Sequence, residues 1–266
     1  MLAELLYGVS MVHSIFLWRK GFRQDSRVNR YLLLAGFLAH TIALFERGFR
    51  LDHCPVNNLY EATTFVMWTM VGICLVVGLW PRLSFLGAFT SPLVFSIGVF
   101  ALMPALDQPR GAVPEFTNGL ESIHAALFVL SYGAFGLSSC AALMYLTQEH
   151  DLKFHKLRAV FSLMPSIQRL ELVTGRLLVG GFVLLTLGLV SSMVFLKKTK
   201  GYYYSGDFKI MWTWFVWLLY LTLVALHWRF AQRGRRFAWG ALGAFVFVLL
   251  TFWGSNLMSS LHNPGT

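Results

Sequence analysis

The stretch GRLLVGGFVLLTLGLVSSMVFL, Gly175 to Leu196, decides the fold class. Beyond Arg176 it holds no ionisable side chain. A run of this length matches a helix crossing the hydrocarbon core of a bilayer, which takes roughly 20 residues. Similar runs lie on either side of it. Towards the C-terminus they cover about 211–228 and 237–258. Towards the N-terminus they cover about 119–147, 83–104, 61–79, 31–46 and 2–18. Together they predict an all-α, polytopic integral membrane protein with about eight transmembrane helices, organised as one membrane domain over residues 1–266.

Composition supports the same reading. Of the 266 residues, 56% are hydrophobic and 13% charged. A soluble domain carries about 25% charged residues, and one this poor in charge lacks the polar surface that water requires. Lipid accepts apolar faces directly, so the expected surroundings are a bilayer.

The formal charge of +10 argues for no nucleic-acid partner, because most Lys and Arg fall in short loops between apolar runs. Basic loops of that kind are held on the cytoplasmic side. Arg19, Lys20 and Arg23 follow the first run, and Arg229, Arg233, Arg235 and Arg236 separate the last two. Both clusters face inward if both termini lie outside. The first run has no basic region before it, so it is expected to be a spanning helix and not a cleaved leader. The lysines around 197–209 run against the bias, and the total outweighs them. Cys74 and Cys140 sit inside apolar runs and Cys54 stands alone in a loop, so no disulfide or paired-thiol site is implied.

Two polar segments interrupt the apolar pattern. The inner one, 148–174, has Phe154, Leu157, Val160 and Phe161 at helical spacing, which fits a short interfacial helix or a plain loop. The outer one, 197–210, leads into GYYYSGDFKIMW, Gly201 to Trp212. Two readings are open for it. One is an aromatic belt at headgroup level with Asp207 capping the next helix. The other is a shallow aromatic platform for a flat ligand, with Asp207 and Lys209 steering polar groups. Trp214 and Trp217 then share one helical face.

Four histidines carry the chemical interest. His40 falls within the second run and His227 near the inner end of the seventh. His124 lies just inside the outer end of the fifth, and His262 follows the eighth on the same side. Singly, each is explained by a hydrogen bond between helices or by an interfacial position. As a set they offer two imidazoles at an outer level and two deeper, and neutral imidazole is a suitable axial ligand for haem iron. The tight Cys/His spacing of a structural zinc site is lacking. His13, His53, His150 and His155 look less constrained, three of them as loop residues. Near the outer face Asn58 is positioned to cap the third helix, Tyr60 to anchor it, and Glu61 borders an apolar run. Glu121 and His124 share a helical face, which suits a carboxylate orienting an imidazole.

These landmarks resemble the cytochrome c assembly family of haem-handling membrane proteins, of the CcsA, CcmC and HemX type. The family pattern around its tryptophan-rich loop is approximately G-x-Y-W-S-W-D-P-K-E-x-W. Gly201, Tyr203, Ser205, Asp207, Lys209 and Trp212 match it. The family's two central tryptophans are Tyr204 and Gly206 here, its proline is Phe208 and its glutamate Ile210, so the loop is divergent. NNLYE, Asn57 to Glu61, resembles the family's S-N-L-Y-E motif, and the histidine order matches from His40 through His124 and His227 to His262.

The resemblance implies binding of haem b, its movement to the outer face, and its presentation to apocytochrome c alongside other cytochrome assembly proteins. It implies a bacterial cytoplasmic (inner) membrane location. It also implies His124 and His262 as outer iron ligands, His40 and His227 as deeper ones, and Asp207, Tyr204 and Trp212 as loop contacts. Such work is ligation and positioning, closer to an assembly factor than to a self-sufficient enzyme. The alternative is a non-haem membrane scaffold or passive permease on the same fold.

Overall fold

The computed structural model describes residues 1–51, 58–80, 82–103, 106, 119–154, 163–201, 203, 206–229 and 234–258. Among them are eight α-helices: α1 Leu2–Arg19, α2 Arg27–Leu51, α3 Leu59–Val77, α4 Gly87–Ala101, α5 Gly119–Lys153, α6 Ile167–Lys200, α7 Phe208–Arg229 and α8 Arg235–Leu257. A 3-10 turn, Leu83–Leu86, leads into α4. Among the described residues seven spans are long and apolar enough to cross a membrane, with the turn and α4 forming one of them. The eighth helix, α1, includes Glu4, His13 and Arg19, and it packs along α2 and α4 through buried Tyr7, Ser10, Ser14 and Leu17. The chain is an all-α, multi-pass membrane protein.

Contacts between helices fix their directions. Asn29 Nδ2 at the start of α2 donates to Ser14 Oγ at 2.9 Å, whereas His40 further along α2 meets Tyr7 near the start of α1. Helices α1 and α2 are therefore antiparallel. Ser138 of α5 donates to the Thr174 carbonyl of α6, and His124 at the other end of α5 meets Phe195. Trp217 Nε1 of α7 donates to Thr186 Oγ1 of α6, and Trp212 Nε1 donates to Thr251 Oγ1 of α8. The path alternates, so the start of α1 and the end of α8 reach the same face, called here the N-terminal face.

Helix α5 is the central element. Its middle is rich in small residues, with Ser131, Ala134, Ser138, Cys140, Ala141 and Ala142 all buried. In lipid the hydrophobic effect no longer drives helices together, so close backbone approach and dispersion take its place. A Cβ on Gly181 of α6 would lie 2.7 Å from Phe135 Cε1 and 3.2 Å from the Ser131 carbonyl oxygen. Phe135 in turn stacks on Tyr220 of α7 with ring centroids 3.5 Å apart. One glycine thus lets α5, α6 and α7 close on one another.

The helices extend past their apolar runs. Helix α5 continues to Lys153 and α6 begins at Ile167, so both enter the polar segment 148–174. His150, expected in a loop, belongs to the last turns of α5 and packs on Phe154 at 4.6 Å between centroids. The backbone hydrogen-bond ladder does not stop where hydropathy falls, because polar side chains at a helix end reach water without breaking it. The interfacial helix considered for Phe154, Leu157, Val160 and Phe161 falls mainly on residues outside the described set, as do Cys54, His53 and His155.

Candidate functional site

The N-terminal face carries the loop and the first candidate histidine. Gly201 ends α6 with φ of 80°, a left-handed conformation that suits the residue without a Cβ. Lys197 Nζ donates to the Gly201 carbonyl at 3.0 Å and lies over the Tyr203 ring. Asp207 is buried, and its Oδ1 accepts from the Lys209 backbone N–H at 2.9 Å. That is an N-cap for α7, satisfying a donor that the first turn leaves over. Trp212 is turned into the bundle. It is 8% exposed, packed between Tyr132 and Phe252, with its indole N–H spent on Thr251. Trp214 and Trp217 meet edge to face at 5.7 Å. Tyr204 lies outside the described residues.

His124 stands in the second turn of α5 on this face. Its ring stacks on Phe195 of α6 at 5.7 Å between centroids and meets Phe128 edge-on at 6.2 Å. The chain leaves α8 towards the same face. His262 lies beyond the described residues, and so does the Glu121 side chain.

His40 and His227 occupy different parts of the bundle. His40 is 7% exposed in α2, with Nδ1 3.2 Å from the Tyr7 hydroxyl of α1. His227 sits near the end of α7, stacked on Phe237 of α8 at 4.2 Å. A Cβ on Gly175 of α6 would lie 3.0 Å from His227 Nε2, so bare backbone and an aromatic face clamp this ring. Along their own helices, His40 is about 20 Å from Arg27 and His227 about 3 Å from Arg229, at a rise of 1.5 Å per residue. Both of those ends belong to the face opposite the N-terminus. The two imidazoles therefore stand at different depths and against different helices.

One interaction was not read from the sequence. Glu61 is 2% exposed and its Oε1 accepts from Arg47 Nε at 2.8 Å. Asn58 caps α3 as expected, its Oδ1 accepting from the Glu61 N–H at 2.8 Å. Arg47 also lies over Tyr60, 4.9 Å from the ring centroid. A lone carboxylate at the end of an apolar helix needs a counter-charge, and Arg47 and Arg50 just before the connection were the signal.

Among the described residues no three His, Cys, Asp or Glu side chains are placed to share one metal ion. Among the described residues the candidate donors His40, His124 and His227 are single imidazoles, each held against an aromatic ring. That donor set fits an iron whose equatorial positions come from a macrocycle and whose axial ligands come from the protein.

The family model described as cytochrome C assembly protein matches residues 56–262. Cytochrome c biogenesis protein CcsA of Synechococcus sp. (strain RCC307) is 28% identical, the match covering 90% of this chain and 85% of that protein. Its counterpart from Gloeobacter violaceus is 26% identical over 80% of this chain and 79% of its own length. That of Trieres chinensis is 26% identical over 99% and 93%. The match of the family model over most of the sequence, on a bundle of membrane helices, means that the chain belongs to the cytochrome c assembly family and has a role in cytochrome c biogenesis.

Proposed function

We propose that the protein binds haem b within its helix bundle and presents it at the N-terminal face for attachment to apocytochrome c. The observation that carries this reading is the position of His124. A half-buried imidazole stands at the face where the 197–210 loop enters α7 and where the chain leaves α8 towards His262. In this reading His124 and His262 hold the iron at the outer level, and His40 and His227 belong to deeper stations on its path. Haem is the cargo. The protein contributes axial nitrogens, aromatic walls against Phe195 and Phe128, and exclusion of water. Asp207 and Trp212 act through the start of α7, by capping it and by tying it to α8, while Tyr204 is a loop contact.

The bundle sits in a bacterial cytoplasmic membrane with both termini outside, as the basic clusters after α1 and before α8 favour. Its partners are apocytochrome c and other assembly proteins. Purification in detergent from haem-replete cells tests the reading. A Soret band in stoichiometric amount supports it, and an intact protein without one counts against it. The divergent loop, with Tyr204 and Gly206 at the family's tryptophan positions, favours a second reading as a non-haem scaffold or passive permease. Deleting the gene separates the two. Loss of haem-stained cytochrome c supports the first, and normal cytochromes with a solute phenotype support the second.

A further inference from the structure

The hydrogen-bond partner of His40, Tyr7, lies on α1, a helix that precedes the 56–262 region matched by the family model. Tyr7 is fully buried, and its hydroxyl is 3.2 Å from His40 Nδ1 with the rings edge to face. The approach depends on Gly36, one helical turn before His40. A Cβ there would stand 2.5 Å from Tyr7 Cε1 and 2.8 Å from Cδ1, too close for the phenol ring to keep its place. The hydrogen bond of His40 runs through Nδ1, and none to its Nε2 is found among the described residues. One ring nitrogen is thus engaged through a neighbouring helix and the other is left over.

We propose that Tyr7 is the positioning residue for His40, fixing the ring so that Nε2 presents its lone pair to iron; this rests on the haem-binding reading above. A phenol can donate to or accept from an imidazole nitrogen. Ligation at Nε2 removes the choice. A neutral imidazole bound through Nε2 keeps its proton on Nδ1, and that N–H then donates to the Tyr7 oxygen. An acceptor at the outer nitrogen holds the ring in place and makes the ligand more basic, which favours ferric over ferrous iron. Gly36 makes this possible by leaving space for the ring. The arrangement gives α1 a task beyond filling the bundle.

The test uses the full-length protein, haem-loaded in detergent, with a potentiometric titration followed by absorption. His40→Ala first identifies the component that His40 holds. Tyr7→Phe removes one buried oxygen and keeps the ring. It should weaken that component's haem affinity about 10- to 100-fold, the usual cost of losing such a partner, and move its midpoint potential upward. Gly36→Ala, which displaces the ring and leaves the hydroxyl chemically intact, should move the potential in the same direction. Unchanged affinity and potential in Tyr7→Phe and Gly36→Ala, where His40→Ala does remove a component, overturn the positioning role alone. If His40→Ala removes nothing, the assignment of His40 as a ligand fails and this proposal falls with it.

Discussion

Arg47 Nε lies 2.8 Å from Glu61 Oε1 and joins the end of α2 to the start of α3. The two partners are unequal. Glu61 is 2% exposed and the Arg47 side chain 30%, so the carboxylate depends on the pair more than the guanidinium does. Removing one member of a buried pair costs about 3–5 kcal/mol, because the other charge is left without compensation. Arg47→Ala leaves the more buried charge behind and should cost more than Glu61→Gln, which leaves a guanidinium that water reaches. Arg47→Met with Glu61→Gln should be milder than either charge deletion alone. Thermal unfolding in detergent measures this, and a double variant as unstable as Arg47→Ala would show that the pair is not the cause.

The close approach of α5 and α6 at Gly181 gives a second test. Gly181→Val places methyl groups where Phe135 and the Ser131 carbonyl already stand. Overpacking of this kind typically costs about 1–3 kcal/mol. Gly180 is its neighbour, and a Cβ there meets nothing within 4 Å. Gly180→Ala should therefore be neutral or slightly stabilising. Equal losses at the two positions, read from the melting temperature, would contradict the packing described.

Asp207 separates capping from ligand steering. Its carboxylate accepts from the Lys209 N–H, a bond that asparagine can also accept. Asp207→Ala should lower stability by about 1 kcal/mol, and Asp207→Asn should restore most of it. Full stability in Asp207→Asn with impaired cytochrome c maturation would assign the negative charge a role beyond the cap.

The basic clusters after α1 and before α8 favour both termini outside. Reporter fusions after positions 25, 112, 160, 205, 233 and 264 should read in, out, in, out, in, out. An outer signal at 160 or 233 would overturn the orientation and with it the outer histidine pair.

The helices were legible because lipid imposes a simple rule: backbone polar groups must pair within the segment, so a long apolar run is a helix. Their ends were less so. Run two, about 31–46, became Arg27–Leu51, and run four became a 3-10 turn with Gly87–Ala101. Charged residues such as Arg27 and Arg50 lie at helix ends where water reaches their side chains, and hydropathy does not register that extension. At the site, the caps by Asn58 and Asp207 followed from residue type and position alone. The Tyr7–His40 bond and the Arg47–Glu61 pair did not, because each joins two helices and no single segment carries its signal. Gly36, one turn before His40, was the local trace of the first. The loop contact expected at Tyr204 and the ligand expected at His262 lie outside the described residues.

Ligation of haem iron by imidazoles of this bundle is tested by the absorption spectrum of the purified, haem-loaded protein with His124, His262, His40 and His227 each replaced by alanine. The parent protein should give a low-spin spectrum. His124→Ala and His262→Ala should show weakened or altered haem, with membrane insertion intact and partial recovery on adding free imidazole. Wild-type spectra in both of those variants, with haem lost only in His40→Ala or His227→Ala, would contradict the outer pair. Four spectrally silent variants would contradict haem ligation by these residues altogether.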